Sequence, residues 1–361
     1  MLKFDNLVLT GDLLMPRQLL LLAPREVALA SYDDPPVSAS SALLKTLFSG
    51  VSHGTEMLLY RGDAPKFEHT WDDRLRHFHT GVPGVNGKPL SLGYETVARV
   101  EAVGEDVRDL VPGDVVWIDA PHRETHVVDI SKAPPFWRFG PVADPKVLTF
   151  FALCRVALGA VHDAEPLLGG SAVVCGLGTV GQLCVQLLKR SGVRTVFGID
   201  RYRERLEIAE GFGAIAVPID GRDPAEVVKA SFGAVDVAIE ASGGYAGLAA
   251  ALRCVAPMGR VVVVSSYGNQ SSGLVLGHEF HRNRITLVSS MTVNGCPHPK
   301  SPLWSLDRLN REASALLSEG SLDVGRLITS VVPFDGAVDA YRAIADADSP
   351  PLKVVFDYDR S

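Results

Sequence analysis

The sequence predicts an α/β fold that joins a β-rich domain to a doubly wound parallel sheet. Its 361 residues are enough for about two domains of ordinary length. Residues 1–150 hold short apolar runs broken by proline and glycine, as in the strands of a β-rich domain. From about residue 171, apolar runs alternate with amphipathic segments of about 10–15 residues, which is typical of βαβ units and a parallel sheet.

Composition excludes several classes of protein. Lys+Arg number 35 and Asp+Glu 42, giving a net charge of −7, so the chain lacks the positive field that binds nucleic acid or an anionic membrane surface. The 5 cysteines are an odd number without a C-x-x-C pair, which excludes a disulfide framework. No apolar run approaches the roughly 18 residues of a membrane span, and Asp5 and Gly11 interrupt what would be a signal peptide. We therefore expect a cytoplasmic protein without a nucleic-acid or membrane partner.

A polar, proline- and glycine-rich stretch spans residues 62–91, which is unusually long for a loop within a compact domain. Such an insertion either lines a ligand site or is a surface excursion, and the sequence leaves both interpretations open. Residues 1–14 are ambiguous because Met15 would itself make a plausible chain start. We predict no function for them.

A glycine motif marks the strongest candidate site. Gly176, Gly178 and Gly181 form G-x-G-x-x-G between an apolar strand and an amphipathic helix that starts near Thr179. The first glycine turns the chain, the second lets the backbone approach a pyrophosphate, and the third allows close packing of helix and strand. The helix then directs its N-terminal N–H groups at the diphosphate. The segment therefore predicts a dinucleotide-binding Rossmann domain.

The next strand ends in Asp200, about 20 residues after the motif, where a carboxylate binds the adenosine ribose hydroxyls. A carboxylate at that place repels a 2′-phosphate, which favours NAD(H) as the cofactor. Arg201 and Arg205 leave NADP(H) open as the second candidate, since an arginine could turn toward the phosphate; otherwise they belong to a solvated helix start. Further cofactor contacts are expected in the first helical turn and after later strands, at Val180, Ser242, Ser265, Ser266 and Tyr267.

With these motifs the chain resembles the medium-chain dehydrogenase/reductase superfamily, which contains zinc alcohol dehydrogenases and zinc-free quinone reductases. The resemblance covers residues 15–358 and rests on SGVSHGTE at 49–56, GYE at 93–95, VGEDVRDLVPGDVVW at 103–117, GLGTVG at 176–181 and LITSVVPFDGAVDAY at 327–341. It implies a GroES-like catalytic domain at residues 1–150 and 298–361, interrupted by the Rossmann domain at 151–297. It also implies a homodimer formed through the cofactor domains.

This chain departs from the zinc enzymes at the catalytic metal. In those relatives the first ligand is a cysteine where this chain has Ser52 or His53, and the second is a histidine where it has Tyr94. The third position corresponds to Ala152, two residues before Cys154. Serine and tyrosine hydroxyls are poor zinc ligands beside thiolate and imidazole. No cysteine precedes residue 154, so the family's structural zinc lobe is missing as well, and we expect no metal site.

The variant motifs, together with FHRNRITLVSS at 280–290, are similar to a zinc-less branch that includes bacteriochlorophyllide a dehydrogenase. That branch oxidises a hydroxyethyl side chain on a macrocycle with a nicotinamide cofactor. From the similarity we take the reaction type alone, which is reversible hydride transfer at a secondary alcohol or ketone.

Hydrogen-bond donors must then replace the metal, because hydride transfer develops negative charge on the substrate oxygen. We expect Tyr94, helped by Thr55 and Ser52, to donate to that oxygen and to serve in acid/base chemistry. His53 is the expected relay to solvent. The alternative is that Tyr94 only fills the volume of the missing metal and packs against Glu95.

Glu95 is a further catalytic candidate, although a structural ion pair is the favoured interpretation for it and for Glu56, with Arg155 as the counter-charge. His281 or Arg282 would touch substrate or cofactor near the nicotinamide end. Other histidines are assigned no ligand role, since they lie in a β-rich segment or in a solvated loop: His69, His77, His79, His122 and His126.

The leading hypothesis is a zinc-independent, NAD(H)-dependent oxidoreductase that interconverts a secondary alcohol and a ketone on a fairly large organic substrate, in a biosynthetic pathway. A second is an NADPH-dependent enoyl or quinone reductase, which Asp200 disfavours. A third is a non-catalytic dinucleotide-binding protein, against which the retained Thr55, Tyr94 and Glu95 argue.

Overall fold

The computed structural model describes residues 15–81, 83–85, 87–132, 136–268, 273–291, 296, 298 and 300–359. Residues 1–14, for which no function was predicted, lie outside the described residues. Within them, a strand-rich part and a part with alternating strands and helices confirm the predicted α/β class.

The first part of the chain is built from short strands around a long one that is buried along most of its length. Its helix and strands are β1 (Arg17–Ala23), β2 (Glu26–Ser31), β3 (Ser41–Gly50), α1 (His53–Arg61), β4 (His69–Asp72), β5 (His77–Thr80), β6 (Leu90–Ser91), β7 (Thr96–Val103), β8 (Val115–Ile118), β9 (Thr125–Asp129) and β10 (Phe136–Phe139). The long strand β3 pairs with both β7 and β9, so both of its backbone edges are hydrogen bonded.

The middle of the chain forms a six-stranded sheet in the order β13-β12-β11-β14-β15-β16, and every neighbouring pair is parallel. The chain builds outward from β11 in both directions, so the strand order reverses beside β11, where open α/β sheets bind ligands. Its elements are α2 (Phe151–Ala164), β11 (Ser171–Cys175), α3 (Thr179–Arg190), β12 (Thr195–Asp200), α4 (Arg203–Gly211), β13 (Ile215–Pro218), α5 (Pro224–Ser231), β14 (Val235–Glu240), α6 (Tyr245–Cys254), β15 (Val255–Val263), α7 (Glu279–Arg282) and β16 (Thr286–Ser289).

The end of the chain returns to the first sheet. It contains α8 (Leu306–Ser318), β17 (Ile328–Pro333), α9 (Ala337–Asp346) and β18 (Lys353–Asp357). Strand β18 pairs with β3 and β17, giving the order β10-β8-β7-β3-β18-β17 with β9 on β3. The predicted helix over 303–319 starts later, at Leu306, because the Ser305 hydroxyl caps it by accepting from the Arg308 N–H at 3.1 Å.

One expectation about apolar runs is wrong. The helical stretch Pro145–Ala164 has 20 residues and a mean hydropathy of 1.5, enough by length and composition to cross a membrane. However, 83% of this window is buried inside the protein. Helix α2 packs against α3, α8 and β15, so the apolar run is explained as a core helix between the two halves of the molecule.

The insertion over residues 62–91 is more ordered than the predicted loop, and only residues 82 and 86 within it lie outside the described part. Strands β4 and β5 form a separate two-stranded sheet, with Trp71 opposite Phe78. The last strand of the insertion, β6, pairs with β1 and so returns the chain to the body of the protein.

Candidate active site

The glycine turn lies at the carboxyl end of β11, where the strand order reverses. Gly176 has a φ of 91°, and a Cβ added there would lie 2.6 Å from the Ser242 Cα. A Cβ at Gly181 would lie 1.9 Å from the carbonyl oxygen of Gly176. At Gly178, by contrast, the nearest atom would be Arg205 Nη1 at 4.0 Å, which leaves open space in front of α3. These residues fit a dinucleotide diphosphate at the helix N-terminus.

Asp200 ends β12 and fixes the glycine turn. Its Oδ2 accepts from the Leu177 N–H at 2.7 Å, and its Oδ1 accepts from the Tyr202 N–H at 2.9 Å. The carboxylate is 6% exposed and lies at the carboxyl edge of the sheet. Its two oxygens thus hold the backbone on both sides of the turn.

The arginines that follow Asp200 are held by protein groups. The guanidinium groups of Arg201 and Arg205 lie 4.7 Å and 4.5 Å from the centre of the Tyr202 ring. Arg205 also donates to the Pro350 carbonyl at 2.9 Å. Arg205 therefore connects the cofactor-binding sheet to the segment before β18.

A buried carboxylate, Glu240, organises the predicted cofactor contacts at the end of β14. Its side chain accepts from the Ser242 N–H at 2.7 Å, from the Ser242 hydroxyl and from the Tyr267 hydroxyl at 2.5 Å. The Ser265 hydroxyl accepts from the Gly243 N–H at 2.9 Å. Burial and the Glu240 charge raise the pKa of Tyr267. Sequence reasoning missed Glu240, although an acidic residue ending an apolar strand was the available signal.

The other predicted contacts are divided between the two edges of the sheet. Val180 and Ser266 lie at the carboxyl edge, where Val180 is half-buried in the first turn of α3 and Ser266 is exposed in the turn after β15. His281 and Arg282 are exposed in the short helix α7. This helix precedes β16 and lies at the amino edge, where the Asn283 carbonyl accepts from the Met258 N–H at 2.7 Å. The structure therefore does not place His281 or Arg282 at the cofactor edge, contrary to the prediction.

His53, the first residue of α1, lies beside the cofactor helix. Its ring hydrogen bonds to the backbone of Leu352, and the Thr179 hydroxyl donates to the Leu352 carbonyl at 2.7 Å. Burial, and then the nearby Lys353 charge, lower the pKa of His53 to about 4, so the ring is neutral at pH 7. Its Nε2 is buried without a hydrogen-bond partner among the described residues. These contacts direct His53 toward the start of α3.

Three of the predicted catalytic hydroxyl groups meet at Tyr94. The phenol oxygen lies 2.5 Å from Ser52 Oγ and also hydrogen bonds to Thr55. Burial, and then the Glu95 charge, raise the pKa of Tyr94, so the phenol stays protonated at neutral pH. Ser52 is buried and Thr55 is exposed. The cluster therefore offers a hydroxyl donor with a hydroxyl path to the surface.

Glu95 forms a buried ion pair with Lys353. Both side chains are 0% exposed, and Lys353 also donates to the Val51 carbonyl at 3.3 Å. A Cβ at Gly50 would lie 2.5 Å from Glu95 Oε2, so a glycine makes room for the pair. Burial raises the pKa of Glu95 to about 7, with the Lys353 charge acting in the opposite direction.

The prediction that Arg155 is the counter-charge of these carboxylates is wrong. Its guanidinium lies 4.8 Å from the centre of the Trp117 ring and donates to Asn310 at 3.3 Å. Arg155 lies close in sequence to the third metal-ligand position, whereas Lys353 comes to Glu95 because β18 pairs with β3. The partner of Glu95 is thus determined by the pairing of two strands that are far apart in the sequence.

Glu56 has a different buried partner, His122. Glu56 Oε2 lies 3.0 Å from His122 Nε2 and accepts from the Tyr341 hydroxyl, while Oε1 accepts from the Ser52 N–H at 2.7 Å. His122 was assigned no ligand role, yet it stabilises the carboxylate that fixes the backbone of Ser52. No sequence pattern predicts this role, because Glu56, His122 and Tyr341 lie in separate segments of the chain.

The other side of the His122 ring continues the network. Its Nδ1 lies 2.7 Å from Ser49 Oγ, which lies 2.9 Å from the Tyr358 hydroxyl. Gly93 packs against the ring, since a Cβ there would lie 2.8 Å from it. The hydrogen bonds thus run from Tyr358 to the start of α1.

The donor set at the family's metal position does not fit zinc. Ser52 and Tyr94 offer neutral hydroxyls that hydrogen bond to each other, and Ala152 offers no donor. The Cys154 thiol is buried 3.9 Å from the Ala313 carbonyl, and burial raises its pKa to about 12. Within the described part of the chain, no group of three His, Cys, Asp or Glu side chains could hold a metal ion.

Comparison with known proteins identifies a family of dehydrogenases. Residues 179–306 match a family described as zinc-binding dehydrogenase. D-guloside 3-dehydrogenase of Escherichia coli (strain K12) is 31% identical over 347 residues, which cover 91% of this chain and 96% of that protein.

Two solved structures share the fold. A zinc-binding-type dehydrogenase of Sinorhizobium meliloti 1021 bound to NADP has a TM-score of 0.75 at 20% identity, covering 95% of this chain and 99% of that one. An alcohol dehydrogenase of E. coli CFT073 complexed with NADH has a TM-score of 0.73 at 19% identity, covering 95% and 99%. Together with the full-length relative, these findings show that the chain belongs to the medium-chain, zinc-binding-type alcohol dehydrogenase superfamily.

Proposed function

We propose that this dehydrogenase interconverts a secondary alcohol and a ketone on a polyhydroxylated substrate, with NAD(H) as the cofactor and without catalytic zinc. The observation that carries the proposal is the hydrogen-bonded cluster of Tyr94, Ser52 and Thr55 at the family's metal position. The similarity to D-guloside 3-dehydrogenase supports a sugar-like substrate.

The preference for NAD(H) rests on Asp200. Its carboxylate is fixed by two backbone N–H groups at the ribose edge, and Arg205 is engaged with Tyr202 and Pro350. We assign Gly178 and the first turn of α3 to the diphosphate, and we assign His53 to the same side rather than to a proton relay. When bound, the nicotinamide supplies the hydride acceptor or donor.

Tyr94 performs the electrophilic role in this proposal. Its protonated phenol donates a hydrogen bond to the substrate oxygen as that oxygen gains negative charge. The Ser52 hydroxyl orients the phenol, and the alcohol proton leaves through the exposed Thr55 hydroxyl to solvent. Glu95 acts as a positioning residue through its ion pair with Lys353.

Replacing Tyr94 by Phe tests the proposal. We expect kcat to fall about 100-fold, the usual effect of removing one oxyanion donor, with an unchanged affinity for NADH. A matched control is Tyr32→Phe, which removes a phenol that bonds to Thr125 outside the cluster and leaves kcat unchanged. Undiminished turnover by the Tyr94→Phe enzyme would remove the donor role.

We further propose a cytoplasmic homodimer with catalytic segments 1–150 and 298–361 and cofactor segment 151–297. The edge strand β16 supports the dimer, since it ends the parallel sheet and exposes Leu287. Sedimentation of a Leu287→Lys variant tests it: a monomer is expected, and an unchanged dimer would place the interface elsewhere.

A further inference from the structure

Glu240 is a buried carboxylate at the point where the strand order of the parallel sheet reverses. It ends β14 and pairs in register with Cys175, the last residue of β11, so it lies beside the glycine turn. A Cβ added to Gly176 would lie 2.6 Å from the Ser242 Cα, which shows how closely the segment after β14 packs on that turn. Glu240 itself is 0% exposed. Its charge therefore acts on the cofactor edge of the sheet through protein rather than through water.

The hydrogen bonds around Glu240 are those of an ionised carboxylate. Its Oε1 accepts from the Ser242 N–H at 2.7 Å and from the Ser242 hydroxyl, and its Oε2 accepts from the Tyr267 hydroxyl at 2.5 Å. The Ser242 oxygen accepts from the Gly244 N–H at 3.1 Å, which leaves its own proton for Glu240. All three contacts thus present a proton donor to the carboxylate, as an acceptor-only group requires.

These donors are neutral, which distinguishes Glu240 from other buried carboxylates of the site. Glu95 is paired with Lys353, and the charge of Arg205 interacts with Asp200. Among the residues that the structure describes, no lysine, arginine or histidine forms an ion pair with Glu240. A buried charge without a counter-charge is costly, and a ligand of opposite charge reduces that cost. The protein therefore holds a negative charge that a cationic group on a ligand would complement.

The position of Glu240 in the sheet indicates which part of the cofactor it acts on. A doubly wound sheet is built from two mononucleotide-binding halves, and Asp200 at the end of β12 marks the half for adenosine. Glu240 belongs to the half formed by β14, β15 and β16, where the nicotinamide mononucleotide is expected. Its partner Tyr267 lies in the turn after β15, where a Cβ added to Gly268 would lie 3.8 Å from Leu58 Cδ2 of α1. The network thus connects the diphosphate turn with α1, the helix at the hydroxyl cluster.

The nicotinamide ring carries a positive charge in NAD⁺ and none in NADH. We propose that the Glu240 carboxylate supplies the complementary negative charge, so that the site binds NAD⁺ more tightly, relative to NADH, than it would with a neutral residue there. The proposal rests on the proposed dehydrogenase function and adds to it the redox state of the cofactor that the site prefers. Such an enzyme loads NAD⁺ and releases NADH, which suits oxidation of an alcohol.

Equilibrium titrations of Glu240→Gln with NAD⁺, NADH and ADP-ribose test the proposal. The substitution keeps the size of the side chain and removes its charge, and ADP-ribose lacks the nicotinamide. We expect the Kd for NAD⁺ to rise at least about tenfold, with the Kd values for NADH and ADP-ribose changed less than about twofold. The matched control is Asp236→Asn, which removes a carboxylate at the amino end of the same strand, where it accepts from the Ser171 N–H at 2.7 Å. It should leave the ratio of the NAD⁺ and NADH constants unchanged.

The pattern across the three ligands separates an effect of charge from a structural role. If Glu240→Gln only loosened the segments after β14 and β15, all three affinities would fall by the same factor, and this would overturn the proposal. An unchanged ratio of the NAD⁺ and NADH constants would overturn it as well. Tyr267→Phe is the second variant, since it removes one donor and leaves the charge in place. It should keep the preference for NAD⁺, and loss of that preference would contradict the role of the charge.

The same titrations distinguish this inference from the proposed function. The expected shift in the NAD⁺ constant, in a protein without activity on secondary alcohols, would support Glu240 and contradict the function. Turnover of a secondary alcohol with an unchanged ratio in Glu240→Gln would support the function and contradict the role of Glu240. Absence of binding by all three ligands would contradict the cofactor site, and this inference with it.

Discussion

The glycine turn and the hydroxyl cluster are joined at Leu352, which contacts both Thr179 and His53, yet they are built in different ways. The turn is made of backbone. Gly176 and Gly181 set its shape, since an added Cβ would lie 2.6 Å and 1.9 Å from neighbouring backbone atoms, and Gly178 leaves open space in front of α3. The cluster is made of side chains, and its surroundings are fixed by groups from α1, β3, α9 and β18 and by His122, which precedes β9. A backbone site is encoded locally, whereas a side-chain site is encoded by the whole fold.

The difference also concerns how each site tolerates change. We expect an added Cβ to disable the turn at each of its glycines. Gly176 and Gly181 leave no room for the Cβ, and at Gly178 it would occupy the space that a diphosphate approaches. The cluster depends on two buried contacts, the ion pair of Glu95 with Lys353 and the hydrogen bond of Glu56 with His122, and the loss of either leaves a buried carboxyl group without that partner. Substitutions in the two regions should therefore change different measured properties: NADH affinity for the turn, and unfolding free energy and kcat for the cluster.

The largest effect is expected from Gly181→Ala compared with Gly178→Ala. The added Cβ at residue 181 overlaps the Gly176 carbonyl, so the turn must shift and both folding stability and NADH binding should be lost. At residue 178 the Cβ has space in the free protein, so stability should be kept while NADH affinity falls at least tenfold, about 1.4 kcal/mol. Thermal unfolding and NADH titration of both variants measure this, and equal stability losses would contradict it.

Lys353→Met should be the most destabilising change near the cluster. It leaves Glu95 fully buried without its counter-charge, which costs about 3–5 kcal/mol of unfolding free energy. Adding Glu95→Gln should recover part of that loss. The control, Arg203→Met, breaks an exposed pair with Glu207 and should cost less than about 0.5 kcal/mol. Urea unfolding at pH 7 compares them, and similar midpoints for both single variants would contradict a buried ion pair.

His122→Asn should have a smaller effect that is divided between stability and activity. Glu56 loses one of its partners, at a cost of about 2 kcal/mol, and the backbone of Ser52 becomes less well fixed. We expect kcat to fall while the affinity for NADH is kept. His126→Asn is the matched control, since this buried histidine lies outside the network, with its Nε2 unpartnered among the described residues. A fall in kcat of the same size in both variants would remove the positioning role of His122.

The stability of the protein should also depend on pH. Burial lowers the pKa of His53 to about 4 and of His126 to about 3, whereas both rings titrate near 6.5 in the unfolded chain. The unfolded state therefore binds more protons below pH 6.5, so stability is complete above that pH and falls as the pH drops toward 4. Each ring contributes a slope of about 1.4 kcal/mol per pH unit. Urea unfolding of His126→Phe should show a shallower slope between pH 6.5 and 4, and an unchanged slope would contradict this.

The sequence predicted the parallel sheet and the glycine turn because both depend on local patterns. Alternating apolar runs and helices predict βαβ units, and the spacing of Gly176, Gly178 and Gly181 carries its own physical reason. The hydroxyls of the cluster were also recognised, through the positions that they occupy in the zinc relatives. The family and the fold class are confirmed, while the cofactor, zinc independence and the individual site roles remain proposals.

The partners of the buried charges could not be predicted from the sequence. Arg155 was favoured for Glu95 because it lies near a motif, but Lys353 reaches Glu95 only through the pairing of β18 with β3. His122 and Tyr341 meet at Glu56 from segments that are 66 and 285 residues away in the chain.

The most direct test of a zinc-free active site is turnover by protein stripped of metal. The enzyme is dialysed against a strong chelator, its zinc content is measured by mass spectrometry, and kcat with NAD and a secondary alcohol is compared before and after. We expect kcat to be unchanged at substoichiometric zinc, and Tyr94→Phe to be impaired in the same buffer. Activity that disappears with the metal and returns when zinc is added would contradict the role assigned to Tyr94.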